Sequence, residues 1–560
     1  MPAHIRVLSS DSKNKLEPDL VTTPFDAELE FTQAETEKII QMKNDNQVDA
    51  LFRFLFVKQC NALNAYLPKL FENTSDYTEL LLNVSVTDQD GIVYHLTHDI
   101  REIDFKIRTE TDEELLESGE ITLEELPEGQ VEIIGWLYQY YNIEPKAKVD
   151  KAVKSGNKVR KDEIPAKTQL FTPDWIVKYM VENSVGRLWI NHLEVDASNN
   201  MEADNSSAEL KKKWRYYVGG ANHKEDVQND LYKVMESYIS ISPKQIKVID
   251  PCMGSGHILV YAFDVLLNIY ESYGYSRRDA AKSIIENNIY GLDIDDRAFQ
   301  LAYFAIMMKA RQYNRRILNA GIEPNLCSIR ESNGMVFNKE LAEQLVSNTG
   351  CKVLEYLLTK FRDAKEYGST LLVEKMDYDS FISEWIQAEE KIYSNVVLIG
   401  WYKEIENEVL SLAKQASILA SEYEVVVTNP PYMGSSMMNT NLNEYLKKNY
   451  PLSKGDLFAV FIEVANRLVK RNYLSSLITM QSWMFLSSYE KLREELVGTD
   501  LVTMLHLGAR AFEEISGDVV QTAAFVLRKS HVNGNVSICD RLIDIDNASE
   551  KEKVFLIDQL

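Results

Sequence analysis

Three short motifs in this 560-residue chain combine residue types that can bind a nucleotide-like molecule and act on an amino group. The first lies in VIDPCMGSGHILV, where Asp250 ends an apolar run and Gly254, Ser255 and Gly256 follow. A strand, a glycine turn and a helix start let the backbone approach a ligand closely, because glycine has no side chain in the way. The spacing is neither a Walker loop nor a complete GxGxxG, which argues against ATP and NAD.

The second motif, IYGLDIDDRAF, carries a carboxylate at the end of another apolar run. Asp293 stands where the tip of a second strand would present an acceptor to both hydroxyl groups of a ribose. Asp295 and Asp296 suit the start of the next helix, where a carboxylate can cap backbone N–H groups. A single aspartate here is more often a helix cap, but its place after a glycine turn favours cofactor binding by Asp293.

The third motif, VVVTNPPYMG, ends an apolar strand abruptly at Asn429, Pro430, Pro431 and Tyr432. Two prolines prevent the strand from continuing and hold the backbone extended. An amide oxygen and a backbone carbonyl can both accept from one amino group, while a tyrosine ring can stack on the flat system that bears it. A rigid turn with Tyr432 in the core explains the motif taken alone, but its place after two ligand-binding motifs favours chemistry on an amino group.

Short apolar runs alternate with helical patterns through the region that holds these motifs. This alternation predicts a parallel sheet flanked by helices, which is a doubly wound, Rossmann-like α/β fold. The segments 197–226 and 338–421 interrupt it, and we expect the first to be a polar surface insertion and the second a helical insertion. The predicted strands are residues 246–249, 289–292, 425–427, 474–479, 501–509 and 519–528, the last two in a hairpin around Ser516 and Gly517.

The pattern before the motifs is helical, most clearly in VDALFRFLFVKQCNALNAYLPKLF, residues 48–71. We therefore predict a mainly helical N-terminal domain over residues 1–145. A basic, glycine-containing connector over 146–166 follows and ends near Pro165. The α/β domain is then expected over 167–535, and residues 536–560 are expected to start a C-terminal region.

The formal charge of −24 argues against a protein whose whole surface coats nucleic acid. It leaves room for a local basic cleft, and small clusters of Lys and Arg occur at residues 211–215, 311–316 and 470–471. The five cysteines include no CxxC pair, so the sequence indicates neither a zinc site nor a disulfide framework. No apolar run is long enough for a membrane span, and we expect a cytoplasmic protein with no membrane partner.

The three motifs resemble those of the DNA methyltransferases that modify amino groups, including the NPPY motif of the catalytic loop. A fourth segment, QLFTPDWIVKYMVENSVG, is similar to the motif that precedes the glycine turn in adenine methyltransferases of the gamma arrangement. The resemblance implies catalysis by Asn429, Pro430, Pro431 and Tyr432, with no metal. It implies that S-adenosyl-L-methionine is bound by Phe171, Thr172, Pro173, Asp250, Met253, Gly254, Ser255, Gly256 and Asp293.

One departure from the family pattern concerns the acidic position after the third strand, which contacts the adenine ring of the cofactor. In this chain it falls within NLCSIRESNG, where either Glu331 or Asn333 can fill it. Cys252 lies beside a proline, as the nucleophile of cytosine methyltransferases does, but its place in the cofactor turn favours a small core-facing thiol.

A more detailed resemblance covers most of the chain and points to the PglX family of the BREX phage-defence systems. It is carried by LFRFLFVKQCNAL, VEIIGWLYQYYN, IPAKTQLFTPDWIVKYMVENSVGRLW, NPPYMGSSMMN and YPLSKGDLFAVFIE. Family members are about twice as long, so the chain is expected to be truncated at both ends and to lack most of the C-terminal target-recognition region.

The sequence hypothesis is therefore a site-specific adenine-N6 methyltransferase that acts on double-stranded DNA, with other phage-defence proteins as further partners. The target adenine would have to flip out of the duplex to reach the motifs. A modification module of a type I or IIG restriction system shares every catalytic motif and is the first alternative. The others are a non-catalytic DNA-sensing or scaffold module, and methylation of RNA or of a protein glutamine.

Overall fold

The computed structural model describes residues 18–26, 29–71, 133–200, 206–394, 396–512, 520–545 and 547–558, with a few positions between 85 and 94. The chain divides into two compact units, Met1–Ile133 and Ile134–Leu560. Ser516 and Gly517, the predicted hairpin turn, lie outside the described residues, as does most of 72–132 in the predicted N-terminal domain.

The described part of the first unit is helical, as the sequence predicts. A capping box opens its middle helix, because the Thr32 hydroxyl accepts from the Glu35 backbone N–H while the Glu35 carboxylate accepts from the Thr32 N–H. Leu20, Phe52 and Leu55 form its small apolar core. The helices are α1 (Asp19–Thr22), α2 (Gln33–Asn44) and α3 (Val48–Asn64).

Helices also lead into the second unit, and the first of them differs from the predicted connector. This helix continues to Lys154 because its Lys, Ala and Val residues support a helix and Val149 is buried, whereas Gly156, at φ +91°, marks the turn that follows. The elements are α4 (Ile133–Lys154), α5 (Ile164–Thr168), α6 (Asp174–Val181), a π-helical turn (Glu182–Gly186), α7 (Arg187–Asn200), α8 (Ser206–Lys213) and α9 (Glu225–Met235).

An eight-stranded sheet forms the centre of the second unit and confirms the predicted α/β class. Its order is β3-β2-β1-β4-β5-β7-β6-β8. The first five strands in this order are parallel, and β7 runs antiparallel to both of its neighbours. The strands are β1 (Val248–Asp250), β2 (Ile289–Asp293), β3 (Asn325–Ser328), β4 (Tyr423–Thr428), β5 (Val469–Met480), β6 (Asp500–Gly508), β7 (Thr522–Arg528) and β8 (Ile538–Arg541).

The strand order reverses between β1 and β4, which is the mark of a doubly wound sheet. Parallel strands need crossover connections, and these are helical here: α10 (His257–Ser272) and α11 (Arg277–Asn287) join β1 to β2, and α12 (Asp296–Tyr313) joins β2 to β3. The apolar side chains of α10 are almost all buried, as expected for a helix that lies against a sheet.

The predicted helical insertion is confirmed between β3 and β4. Phe381, Trp385 and Tyr402 are buried in its interior, so this insertion extends the apolar core of the sheet. No helix within the described ranges is long and apolar enough to cross a membrane. The insertion consists of α13 (Lys339–Leu345), α14 (Asn348–Lys360), α15 (Ala364–Tyr367), α16 (Tyr378–Gln387) and α17 (Val396–Ala420).

The last described elements differ from the predicted boundary at residue 535. Strand β8 pairs in parallel with β6, and Phe555 of the final helix is fully buried with its ring 6.1 Å from Trp175 and 5.8 Å from Tyr179. An aromatic anchor and an added strand make this segment part of the second unit. The remaining helices are α18 (Thr440–Asn449), α19 (Leu457–Leu468), α20 (Glu490–Leu496) and α21 (Ala548–Asp558).

A substitution of Gly256 should cost more stability than one at a glycine with a similar backbone. Gly256 has φ +86°, and a Cβ there would lie 2.9 Å from the Cβ of Ala302, whereas Gly274 has φ +96° and open space around it. Gly274→Ala should cost about 1–2 kcal/mol through backbone strain alone, and Gly256→Ala about 1–3 kcal/mol more through overpacking. Urea unfolding measures both; equal losses would contradict the close packing of this turn.

Candidate active site

The carboxyl ends of β1, β2 and β4 bring the three sequence motifs to one edge of the sheet. Asp250 ends β1, Asp293 ends β2 and Asn429 directly follows β4. The Thr428 hydroxyl donates to Asp250 Oδ1 at 2.7 Å, and the Gly254 backbone N–H donates to Asp293 Oδ2 at 2.9 Å. Doubly wound sheets bind their ligands at this edge, where the strand order reverses.

Burial dominates the electrostatics of the two strand-end carboxyl groups. It raises the pKa of Asp250 to about 7, although Thr428 and the Cys252 N–H donate hydrogen bonds to the carboxylate. Burial also raises the pKa of Asp293 to about 6, against the opposing effect of hydrogen bonds from the backbone of Asp295 and Gly254. Both groups therefore change protonation close to neutral pH.

A cleft opens at this edge, where doubly wound folds bind small molecules. Its walls come from all three motifs, from the segment upstream of the glycine turn and from the helical insertion. Residues of the cleft include Tyr138, Ile164, Gln169, Leu170, Gly254, Asp293, Ile294, Asn429, Pro430, Pro431, Phe461 and the segment 365–370.

A smaller cleft of about 450 Å³ adjoins the first around the glycine turn. Gly254 has φ +53°, and a Cβ placed on it would meet no atom within 4 Å, so this turn presents backbone to open space. Such a surface suits close approach of a ligand. Most of the predicted cofactor residues lie here: Phe171, Thr172, Asp250, Met253, Gly254 and Ser255.

The upstream segment QLFTP contacts both the NPPY motif and the helix that follows the glycine turn. The Asn429 side-chain amide donates to the Thr172 hydroxyl at 3.0 Å and to the Leu170 carbonyl at 3.5 Å. The Phe171 ring lies 4.4 Å from the ring of His257, the first residue of α10. The segment that precedes the glycine turn in the sequence therefore contacts both Asn429 and the start of α10 in the fold.

Asn429 has an acceptor that the protein leaves unused. Its side-chain oxygen is buried and, within the described part of the chain, accepts no hydrogen bond. Because Thr172 and Leu170 bind the amide nitrogen, they orient the side chain and leave the oxygen for another donor. A buried acceptor without a donor is unfavourable by about 1–3 kcal/mol, which a ligand with an N–H group would relieve.

Asp456 positions the loop that contains NPPY, and none of the sequence motifs identified it. Its carboxylate accepts from the Met433 N–H at 2.9 Å and also caps α19 at the Phe458 N–H. Burial raises its pKa to about 6. The signal was present in YPLSKGDLF, where an aspartate immediately before an apolar helical run indicates a helix cap.

Tyr432 lies beside the cleft with its ring packed against the protein. The ring makes an edge contact with Phe458 at 6.2 Å between centroids, and the hydroxyl donates to the Ile478 carbonyl at 3.1 Å. These contacts fix the position of the ring next to Pro430 and Pro431. Its predicted role in stacking on a base remains a prediction.

Four other predicted site residues have structural partners. Pro173 accepts the first hydrogen bond of α6, from the Ile176 N–H, and Gly256 precedes α10. Glu331 pairs with Lys161 at 2.6 Å and accepts from the Lys365 N–H, while Asn333 donates to Asp363 at 2.9 Å. The two candidates for contact with the cofactor adenine are therefore occupied by the connector and the insertion.

Cys252 packs against the apolar core, as the sequence analysis expected, and it also lines both clefts. Burial, with Asp250 and Asp293 nearby, raises the pKa of this thiol well above its ordinary value. A thiol that resists ionisation is a poor nucleophile, so the position does not support cytosine-type chemistry.

Two parts of the cleft wall carry no sequence signal that identifies them. The Tyr138 hydroxyl of α4 donates to Asp295 of the second motif, and the segment 365–370 of the insertion lines the same cleft. Both are far from the motifs in sequence. The hydrophobic pattern of an insertion or of an upstream helix does not indicate which residues reach the sheet edge.

Asp250→Asn should change how stability depends on pH. Both hydrogen bonds to Asp250 end on Oδ1, which asparagine retains. Because the folded-state pKa of about 7 exceeds the ordinary 3.8, the wild-type group contributes stability at low pH that is lost as the pH rises through 7. The unfolding free energy of the mutant should therefore rise relative to wild type between pH 4 and 8.

Urea unfolding at a series of pH values measures this difference. Asp226→Asn, at an exposed position, is the control and should follow the wild-type profile. A constant difference between Asp250→Asn and the wild type across this range would contradict the raised pKa.

Sequence comparison identifies a matching family and two relatives of about 40% identity. The chain matches the Eco57I restriction-modification methylase family over residues 287–512. It is 41% identical over 569 aligned positions to adenine-specific methyltransferase PglX of Lacticaseibacillus casei (strain Zhang), covering 99% of this chain and 44% of that protein. It is 40% identical to adenine-specific methyltransferase BrxX of Escherichia coli O9:H4 (strain HS), covering 93% of this chain and 41% of that protein.

Solved structures with partial likeness include restriction-modification enzymes. A nuclease-deletion mutant of the type ISP enzyme LlaGI in complex with a DNA substrate mimic has a TM-score of 0.39 at 14% identity, over 98% of this chain and 40% of that one. The DrdV–DNA complex has a TM-score of 0.38 at 12% identity, over 89% and 38%.

The chain spans less than half of the length of the two curated relatives. The alignments nevertheless cover 99% and 93% of this chain at 41% and 40% identity. The resemblance to the PglX family of adenine-specific methyltransferases that the sequence predicts is therefore confirmed.

Proposed function

We propose that this chain is a site-specific DNA adenine-N6 methyltransferase that uses S-adenosyl-L-methionine in bacterial phage defence. The observation that carries the proposal is the buried, unused oxygen of Asn429 beside a cleft built from cofactor motifs. The names of the two relatives, adenine-specific methyltransferases, support the same reaction. The location we propose is the cytoplasm, with double-stranded DNA as substrate and other defence proteins as partners.

The described residues fit the cofactor. Gly254 presents open backbone, Asp293 offers a carboxylate to ribose hydroxyls, and Phe171 and Thr172 line the adjoining cleft. When bound, S-adenosylmethionine supplies an electrophilic methyl group. The position of Asp293 at the strand tip matches the place where carboxylates bind ribose in doubly wound folds.

Asn429 would activate the target amino group. The lone pair of the adenine amino nitrogen is delocalised into the ring, which makes it a poor nucleophile. Acceptance of its hydrogen bonds by the Asn429 side-chain oxygen and the Pro430 carbonyl would favour tetrahedral geometry and localise the lone pair. Thr172 holds the side chain in place before the substrate arrives, so little reorganisation is needed.

Access to Asn429 requires that the base leave the helical stack. Tyr432 follows the two prolines, and its hydroxyl is anchored to the Ile478 carbonyl at the end of β5. A ring held in this way can receive one face of a flipped base. Stacking of this kind contributes about 1–3 kcal/mol per base.

A strip of lysines on the connector offers a path for the DNA backbone in an otherwise acidic chain. Lys151, Lys154 and Lys158 are exposed. The connector is tied to the catalytic loop, because the Val159 N–H donates to the Met437 carbonyl at 2.9 Å. These lysines therefore lie on a segment that touches the loop containing NPPY, where a duplex would have to bind.

The match to the Eco57I family also supports a second candidate function, that of a modification module of a type I or IIG restriction system. Its chemistry at Asn429 would be the same, and the difference lies in the partners. A non-catalytic DNA-sensing module is the alternative from another class. It predicts no methyl transfer from the wild-type chain.

Asn429→Ala should abolish methyl transfer and leave cofactor binding within about threefold of wild type, because the cofactor clefts keep their other residues. Adenine methylation of genomic DNA, from cells with and without the full-length gene, measures the first property. Calorimetry with S-adenosylhomocysteine measures the second. Asn449→Ala, at the end of α18, is the control and should methylate normally.

A mutant Asn429→Ala with near-normal methylation would overturn the catalytic assignment. Absence of methylation with the wild type, despite measurable cofactor binding, would favour the DNA-sensing module.

Replacement of Lys151, Lys154 and Lys158 together by glutamine should weaken duplex binding and its dependence on salt. Each lost phosphate contact lowers the slope of log K against log salt by about 0.9, so three contacts would reduce it by roughly 2–3. The control replaces Lys211, Lys212 and Lys213, three exposed lysines on α8, by the same residue. Fluorescence anisotropy across a salt series should separate the two; equal slopes would contradict the proposed path.

A further inference from the structure

We infer that Glu366, on the helical insertion, recognises the exocyclic amino group of the cofactor's adenine and so sets specificity for a 6-aminopurine. The inference rests on the proposed use of S-adenosylmethionine and adds a residue outside the sequence motifs. It also offers an alternative to Glu331 and Asn333, which the sequence analysis expected in this role and which pair with Lys161 and Asp363.

The segment 365–370 is held firmly against the ends of β1 and β2. The Ser369 hydroxyl donates to the Pro251 carbonyl at 2.5 Å, and the Lys365 N–H donates to Glu331 at 3.0 Å. Gly368, at φ +54°, lies against Ile294, the residue after Asp293, so that an added Cβ would be 3.0 Å from its methyl group. The insertion therefore forms the cleft wall next to the strand tip that we assign to the ribose.

The carboxyl group of Glu366 is buried at this wall and, among the described residues, has one weak hydrogen-bond donor. The residue is 7% exposed, and the Asn441 amide donates to Oε2 at 3.4 Å. Leu442, the neighbour of Asn441, lines the same cleft. This contact places the carboxylate at the cleft end bounded by α18.

The lining of this cleft includes the apolar residues Ile294, Pro431, Leu457 and Phe461. A flat purine ring suits such walls, and a buried carboxylate among them needs a hydrogen-bond donor. The 6-amino group of adenine is a donor at the edge of the ring. A purine with a carbonyl oxygen at this position would instead place that oxygen, a hydrogen-bond acceptor, next to the Glu366 carboxylate, which is also an acceptor.

Other polar groups of the same wall already have a hydrogen-bond or ion-pair partner within the protein. The Thr370 hydroxyl donates to the Tyr367 carbonyl at 2.6 Å, and the Lys365 ammonium group pairs with Asp296 at 3.0 Å. Asp293 accepts from two backbone N–H groups at the ribose end. Glu366 is thus the side chain on this part of the insertion best suited to accept from a base edge.

The test compares binding of S-adenosylhomocysteine with that of S-inosylhomocysteine, in which a carbonyl oxygen replaces the 6-amino group. Isothermal calorimetry with the 560-residue chain should give at least a tenfold preference of the wild type for the adenine compound. Glu366→Ala should reduce this preference to less than threefold. Glu366→Gln should improve binding of the inosine compound, because its amide can donate to the carbonyl oxygen.

Glu355→Ala, at an exposed position of α14 outside the cleft, is the matched control and should retain the wild-type preference. The inference is overturned if Glu366→Ala keeps the preference, or if Glu355→Ala removes it. A wild-type chain that binds neither compound would overturn the proposed cofactor itself, and with it this inference. Rescue by glutamine distinguishes recognition from a structural defect, since a misfolded wall would weaken both compounds equally.

Discussion

The parallel pairing of β1 with β4 is the constraint on which the site depends. Two residue pairs, Val248 with Val425 and Ile249 with Val426, set the register, and the hydrogen bond from Thr428 to Asp250 continues it beyond the ladder. This register places the glycine turn and Asn429 at the same height along the sheet edge. A slip by one residue would turn the Thr428 side chain to the opposite face and separate the two motifs.

Burial of carboxyl groups follows from this arrangement. Burial raises the pKa of Asp250, Asp293 and Asp456 to about 6 or 7, although backbone N–H groups that donate to each carboxylate oppose this shift. Some of the acidic residues that are counted in the net charge are therefore buried and do not lie on the surface. At the sheet edge, acidic side chains organise the turns, and basic residues lie on the connector beside them.

The sequence predicted the parts of the site that depend on local structure. Asp250 and Asp293 each end a strand, and Asn429 directly follows one. Because the carboxyl ends of parallel strands meet at one edge of a sheet, the fold class alone predicted that the three would lie close together. The roles of Tyr138 and Glu366 could not be predicted, because they depend on how a distant helix and an insertion pack. The sequence analysis predicted a connector where α4 in fact continues to Lys154. Ser155 and Gly156 suggested a long break in the helical pattern, but they form a single turn.

The helical insertion has a consequence for the order of folding. It lies between β3 and β4, so Asp250 and Thr428 must meet across 178 positions of chain. Closing so long a loop is entropically unfavourable until the intervening residues are compact. The local helices of the insertion, in which Trp385 packs against Tyr402, can form first and shorten the effective distance. The strand pair at the centre of the sheet is therefore expected to assemble late, and the loop that contains NPPY with it.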